Sequence, residues 1–436
     1  MENKSNKIGF TESKAKEQMI IIKNSLKNSL KYIKTLVMWL IISSLVGVVG
    51  GIIGSIFHLS IDYVALLREE KPFFIYFLPL GGIVIAGIYH IFKSKGTLDT
   101  NRVLDAAAKE EKVPLIMAPL IFISTCITHL LGGSAGREGA ALQLGGSIGY
   151  NAGKLLGLKK DKMHIIVMSG MSAVFAALFG TPLTAAFFSL EVCCVGIMHY
   201  AALVPSIMAA LVAAYIAKLF GLHGVHFEGV ILENISALNV LEIIAIAILC
   251  ALVSIVFCAA IKNCEHIFEK LMPSRYVRAF VGGGLIVILT LIIGTTDYNG
   301  AGMGVIEKAI GGNANYEAFI LKIIFTAITI SAGFKGGEIV PSFFIGSTFG
   351  CALGNLIGFD PGFSAALGFV AVFCAVVNCP VASVMLSIEV FGSENVIIFA
   401  LVCAISYMMS GYSGLYKSQR IAYSKLDEER INRNTI

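Results

Sequence analysis

Charge is scarce in this 436-residue chain: 33 basic and 28 acidic residues make up 14% of it, against 56% hydrophobic. Soluble domains keep about a quarter of their residues charged, so that class is excluded. The ten cysteines show no CxxC and no metal-type spacing, which leaves them as small buried hydrophobes. The eight histidines show no ligand spacing either, and HExxH and recognisable Ser–Lys or Asp–Asp protease spacings are missing. No metal and no cofactor is expected, and the chain is not read as an enzyme. The net charge of +5 carries no nucleic-acid signal, because the lysines gather at the two ends.

What is present is a series of charge-free apolar stretches, among them 36–59, 73–92, 114–136 and 164–190. Several are long for one span and hold glycine or proline midway, a pattern of broken or paired short helices. The expectation is an all-α polytopic protein of the lipid bilayer, crossing the cell membrane several times. Residues 1–35 carry eight lysines against three glutamates, and 417–436 hold Lys417, Arg420, Lys425, Arg430 and Arg433. The positive-inside rule then predicts both termini on the cytoplasmic face and an even number of crossings. Ile22, Leu26, Leu30 and Ile33 recur at helical spacing beside Lys23, Lys27, Lys31 and Lys34. That periodicity predicts an amphipathic helix lying on the membrane surface before the first span.

The chain contains itself twice. Gly170–Val192 and Gly368–Val390 align at an offset of 198, sharing Ala-Val-Phe, Pro182/Pro380 and Glu191-Val/Glu389-Val. Upstream, at an offset of 200, Gly136-Arg137-Glu138 lies over Gly336-Gly337-Glu338, and Gly146-Ser147 over Gly346-Ser347. The predicted organisation is a leader (1–35), a first membrane repeat (36–220), a connector (221–239), a second repeat (240–416) and a short cytoplasmic tail (417–436). Repeats in transporters commonly hold the substrate where the copies meet, on the ends of discontinuous helices.

Arg137 and Glu138 are the only charged residues between Lys112 and Lys154, counting His129 as neutral. An intramembrane charge costs about 2.5–3.5 kcal/mol on insertion scales, so a retained one points to an ion or proton pathway. Four glycine- or proline-led segments open apolar helices: 132–139, 333–338, and those ending at Pro182 and Pro380. Helix N-termini offer unpaired N–H groups, and several converging at mid-membrane make an anion site without a full cation. Glu138 could occupy such a site as a tethered anion and leave it when protonated; the alternative is a structural Arg137–Glu138 pair. Glu191 and Glu389, each nine residues after its proline, suggest a shared capping or pairing job, with proton relay as the alternative.

The string GSAGREGAALQLG (133–145), the second glycine-rich loop ending in Pro341 and the terminal SGYSGLYKS (410–418) together resemble the CLC anion channels and transporters. The resemblance covers about residues 36–418 and implies a homodimer of inverted repeats, each subunit with its own pathway for halide and protons. By that resemblance Glu138 is the external gating glutamate and Tyr416 closes the inner end of the site. Backbone amides of Gly139, Ala140, Ile339 and Val340 would bind the ion. The usual first loop is replaced by Asp99–Val103, where Thr100 or Asn101 would take the anion-binding position. The second loop reads GGEIVP, putting Glu338 beside the anion path, and Val192 fills the place of an internal proton-accepting glutamate. These departures look like the fluoride/proton-exchanging branch, although that branch usually has threonine where this chain has Val340. The implied function is halide/proton antiport, with fluoride favoured over chloride. The alternatives are a passive voltage- or pH-gated chloride channel of the same fold, an intramembrane enzyme using Glu138 and Glu338, and an organic-solute symporter. The twenty residues after Tyr416 are expected to be too few for appended nucleotide-binding modules.

Overall fold

The computed structural model describes residues 2–92, 98–109, 111–232 and 236–436, with the side chains of 2–28 outside the described set. Sixteen α-helices account for most of these residues. The first eight are α1 (Glu2–Glu70), α2 (Leu78–Ile91), α3 (Thr100–Lys109), α4 (Met117–Leu130), α5 (Glu138–Leu155), α6 (Lys160–Phe179), α7 (Pro182–Glu191) and α8 (Leu203–Leu219). The second eight are α9 (Ala237–Leu271), α10 (Arg275–Ile293), α11 (Met303–Ile310), α12 (Ala318–Ser331), α13 (Ile339–Ile357), α14 (Pro361–Val377), α15 (Pro380–Phe391) and α16 (Val396–Met409). Among the described residues, seven segments are long and apolar enough to cross a membrane, and five further apolar helices are shorter. Short helices survive in lipid because neighbouring protein satisfies their ends.

The local reasons are legible. Pro182, Pro361 and Pro380 open their helices, where a missing N–H costs nothing. Gly180, Gly294 and Gly358 close α6, α10 and α13 in the left-handed conformation. Asn378 takes that conformation at the end of α14 (φ 55°) and is held there by donating to the Ser413 carbonyl and the Gln419 side chain. All ten cysteines are unpaired and seven are buried.

Beyond their first turns, helices α6 and α14 are buried almost throughout, each crossing a neighbour at glycine. A Cβ on Gly145 would strike the Gly170 carbonyl, and one on Gly346 would strike that of Gly368. Gly149 and Gly350 continue the same two contacts against Ile166 and Ser364. Here the backbone corrects the sequence alignment. Around the loops the repeat runs at an offset of 201, not 200: α4 and α12 begin at 117 and 318, α5 and α13 at 138 and 339. Gly132 and Gly333, at the same spacing, both have positive φ (84° and 97°). Gly146 is therefore not the counterpart of Gly346; it packs on Val103 instead.

The two ends differ from expectation. Helix α1 shows no break between leader and first span, because no glycine or proline occurs from Phe10 to Val46. This does not fit a separate helix lying on the surface. Of its amphipathic face, Ile22, Leu26, Lys23 and Lys27 lie outside the described side chains, while Leu30 and Ile33 are exposed. The last residues fold back as two strands, β2 (Arg420–Tyr423) and β3 (Arg430–Asn434). Strand β2 is parallel to the two-residue β1 (Cys194–Val195) and antiparallel to β3.

Candidate functional site at the crossing of two helix N-termini

The loops before α5 and α13 cross at the centre of the molecule. Gly136 and Gly337 donate to each other's carbonyls, both at 2.7 Å, as an isolated antiparallel bridge. Their anchoring is reciprocal. The Ser134 N–H donates to Thr329 Oγ1 (3.1 Å), and the Lys335 N–H, 201 residues on, donates to Thr128 Oγ1 (3.2 Å). Each loop is thus tied to the helix that precedes the other.

The same offset reassigns the charges. Arg137 and Glu338 are the equivalent N-cap residues of α5 and α13, and Glu138 is equivalent to Ile339. Glu338 therefore does not enter the site as the symmetry mate of Glu138, as the GRE-over-GGE alignment suggested.

The Glu138 side chain is fully buried and neither carboxylate oxygen has a hydrogen-bond partner. The backbone N–H groups of Glu138 itself, Arg137 and Val340 act on it, but none meets it at hydrogen-bonding geometry. The carboxylate curls back over Gly136, where a Cβ would collide with Oε2. Arg137 does not pair with it. Its guanidinium donates to Asp62 Oδ1 (2.6 Å), while Asp62 Oδ2 meets His58 Nε2 at 3.0 Å. The adjacent-residue pair considered from sequence is absent for the geometric reason that consecutive side chains point apart.

Intrahelical bonding starts with Ala141 N–H to the Arg137 carbonyl in α5 and Ser342 N–H to that of Glu338 in α13. The N–H groups of Gly139, Ala140, Ile339 and Val340 precede those bonds and belong to the unpaired first turns. Gly139 abuts Gly337, and a Cβ there would lie 2.9 Å from the Gly337 Cα and 3.5 Å from Glu338 Oε2. Two positive helix ends and two carboxylates thus share one small volume.

The remaining candidates divide. Thr100 opens α3 buried, its hydroxyl 3.5 Å from the Gly139 carbonyl and accepting from Gln143 Nε2 (3.0 Å). Asn101 is otherwise engaged: its Oδ1 accepts the Ser418 N–H (3.0 Å) and its Nδ2 donates to Asp99 (3.5 Å). Tyr416 is buried with its hydroxyl unpartnered, in electrostatic reach of Glu338 and Glu138. Its carbonyl accepts from Gln419 N–H (3.0 Å) and Thr435 Oγ1 (2.7 Å), so the residues flanking the C-terminal strands hold it.

Sequence reasoning missed Asp62, His58, His129 and Lys322. His129 is buried with Nε2 3.3 Å from the Gly136 carbonyl. Lys322 is buried too and donates to the Tyr298 and Gly300 carbonyls (3.2 and 2.8 Å). Asp62 and Lys322 are charges inside apolar helices, but Arg68 and Glu317 stand within six residues of them, so neither has the isolation that singled out Glu138. The expectation that the sequence has no GxSxG is wrong, since Gly132–Gly136 and Gly145–Gly149 both have that form. Neither has a base: Ser134 Oγ meets Thr326 Oγ1, and Ser147 Oγ donates to the Pro114 carbonyl.

Glu191 and Glu389 cap each other's helices. Glu191 accepts the N–H groups of Val381 (3.2 Å) and Ala382 (2.9 Å), and Glu389 those of Leu183 (2.9 Å) and Thr184 (2.8 Å). Glu191→Ala strands the buried Ala382 N–H and the half-buried Val381 N–H, at about 1–3 kcal/mol. A fall in thermal midpoint with unaltered proton coupling is expected; lost coupling at unchanged midpoint would make Glu191 a relay instead.

Two like-built helix bundles whose discontinuous helices meet end-on at a buried carboxylate define a multi-pass membrane transport protein of inverted-repeat design. The chain belongs to the voltage-gated chloride channel family, the CLC family: that family's sequence profile matches residues 81–411. It is 34% identical over 378 residues to a chloride/fluoride channel protein of Pseudomonas syringae pv. tomato, covering 85% of this chain and 84% of that protein. Its fold is similar to the crystal structure of a CLC-type fluoride/proton antiporter, with a TM-score of 0.84 and 30% identity over 88% of this chain and 98% of that one. A slow cyanobacterial Cl−/H+ antiporter shares the fold at a TM-score of 0.72 and 19% identity, covering 85% of this chain and 94% of that one.

Proposed function

We propose that this chain exchanges a halide for protons, fluoride in preference to chloride, with Glu138 as the gate. The observation that carries the reading is the buried, unpartnered Glu138 carboxylate at the meeting of two helix N-termini. Ionised, it competes with a halide for those positive ends; protonated, it gives them up. One side chain then links proton uptake to anion movement. The relative named for chloride and fluoride supports a halide cargo, and the 30% identical fluoride/proton antiporter supports exchange over passive flow.

In this reading the amides of Gly139, Ala140, Ile339 and Val340 hold the ion, and the Tyr416 hydroxyl closes the far end. Thr100 rather than Asn101 serves it from the first loop, since the Asn101 amide is committed to Ser418 and Asp99. The working unit is a homodimer in the cell membrane, with both termini cytoplasmic and repeats at 36–220 and 240–416.

Glu338 is a second proton-handling group, reaching the Gly139–Gly337 contact from the opposite loop. Glu338→Gln is expected to lower the proton-to-halide ratio severalfold while halide movement persists. A wild-type ratio and ion preference would return Glu338 to a structural role. The reading itself is tested in liposomes loaded with potassium fluoride or chloride, with valinomycin added and halide and pH recorded together. Fluoride efflux well above chloride with protons moving oppositely is expected, and halide efflux at constant pH would make the chain a channel.

A further inference from the structure

One turn beyond Gly139, on the same face of α5, stands a polar side chain that the gate does not use. Gln143 is only 4% exposed, and its Nε2 donates to Thr100 Oγ1 (3.0 Å) at the opening of α3. The same hydroxyl lies 3.5 Å from the Gly139 carbonyl, which the hydrogen-bond ladder of α5 already engages. Thr100 is buried as well.

A threonine hydroxyl has one proton to give and two lone pairs to fill. The Gln143 amide fills one lone pair, so the proton points elsewhere. It is left with the Gly139 carbonyl, at the far limit of hydrogen-bond length, or an ion in front of the loop. The other end of the amide, Gln143 Oε1, is buried without a partner. Buried acceptors are rarely left so. The amide is therefore held in place for its N–H end.

The second repeat shows what this position does when only packing is asked of it. By the 201-residue correspondence Gln143 matches Phe344, a fully buried aromatic. Phe344 packs on Gly302, the N-cap of α11, where a Cβ would collide with its ring. Both residues thus meet the opening of the helix two elements back, one with a ring and the other with an amide.

We propose that Gln143 is a positioning residue for halide selection: by donating to Thr100 it turns the threonine hydroxyl proton toward the ion. Hydrogen bonds to an ionised acceptor are short and strong, so an aimed O–H favours the smaller, more charge-dense halide. Gln143 then favours fluoride over chloride without touching either. The inference rests on the reading of Thr100 as an ion contact and adds what orients it.

The test is a double-mutant cycle on the full-length protein in liposomes, reading half-saturating fluoride and chloride. Thr100→Val is expected to raise half-saturating fluoride about tenfold, the worth of one hydrogen bond to an ion. Gln143→Met, similar in length and helix propensity, should raise it about threefold and chloride by less. The double variant should match Thr100→Val alone, because no hydroxyl is left to orient. Thr100→Ser restores the hydroxyl and should recover most of the lost affinity, which Gln143→Met should again weaken. Gln143→Leu serves in the cycle if Gln143→Met does not assemble. Effects that multiply to about thirtyfold in the double variant, or equal losses for fluoride and chloride in Gln143→Met, would overturn the orienting role. Wild-type affinity in Thr100→Val would instead overturn the reading of Thr100, and the orienting role with it.

Discussion

In Glu138→Gln, proton movement is expected to fall to the level of empty liposomes while halide continues to move. The glutamine fills the same volume, so the fold and the Gly136–Gly337 bridge remain. What it lacks is a charge that competes for the helix ends and a proton that can be carried away. The carboxylate has no hydrogen bond to lose, so little stability is at stake and the effect should appear in coupling. Simultaneous halide and pH traces on the purified variant check this. Proton flux that survives at the wild-type ratio would remove Glu138 from the gate.

Gly337→Ala is expected to abolish transport at the opposite extreme of chemistry, with one methyl group and no change of charge. A Cβ there would collide with the Gly139 nitrogen and lie 3.1 Å from that of Glu138. These are backbone atoms at the first turn of α5, which cannot rotate aside as a side chain could. Overpacking of this kind costs about 1–3 kcal/mol, and relief requires the two helix ends to separate. An anion site made of N–H groups from both ends is lost when they separate. Gly284→Ala is the control, since nothing lies within 4 Å of a Cβ there. Efflux at the wild-type rate in Gly337→Ala would show that the crossing does not hold the ion.

The repeat, the two glycine loops and the lone Glu138 were legible because each is a departure from an apolar background. The register between the loops was not. Matching letters drew GGE over GRE at an offset of 200, whereas the backbone follows Gly132 and Gly333, whose positive φ sets the turn. Reading glycines by conformational role instead of residue identity would have found 201 and separated Glu338 from Glu138. Glu191 and Glu389 were expected to share a capping or pairing job, but that each caps the other's helix depends on two termini remote in sequence. Asp62 and Lys322 lack the isolation of Glu138, because Arg68 follows Asp62 by six residues and Glu317 precedes Lys322 by five. The C-terminal strands offered no alternating pattern to read: β3 is Arg430-Ile431-Asn432-Arg433-Asn434, nearly all polar. They form because Cys194–Val195 presents an open edge to β2.

The central claim is that one site exchanges halide for protons. Its most direct test is a fluoride gradient across liposomes at equal pH on both sides, with the membrane potential held at zero by potassium and valinomycin. Exchange predicts that protons move opposite to the fluoride flow and build a pH gradient where none existed. Fluoride flow with the pH unmoved would contradict the account and make the pathway passive.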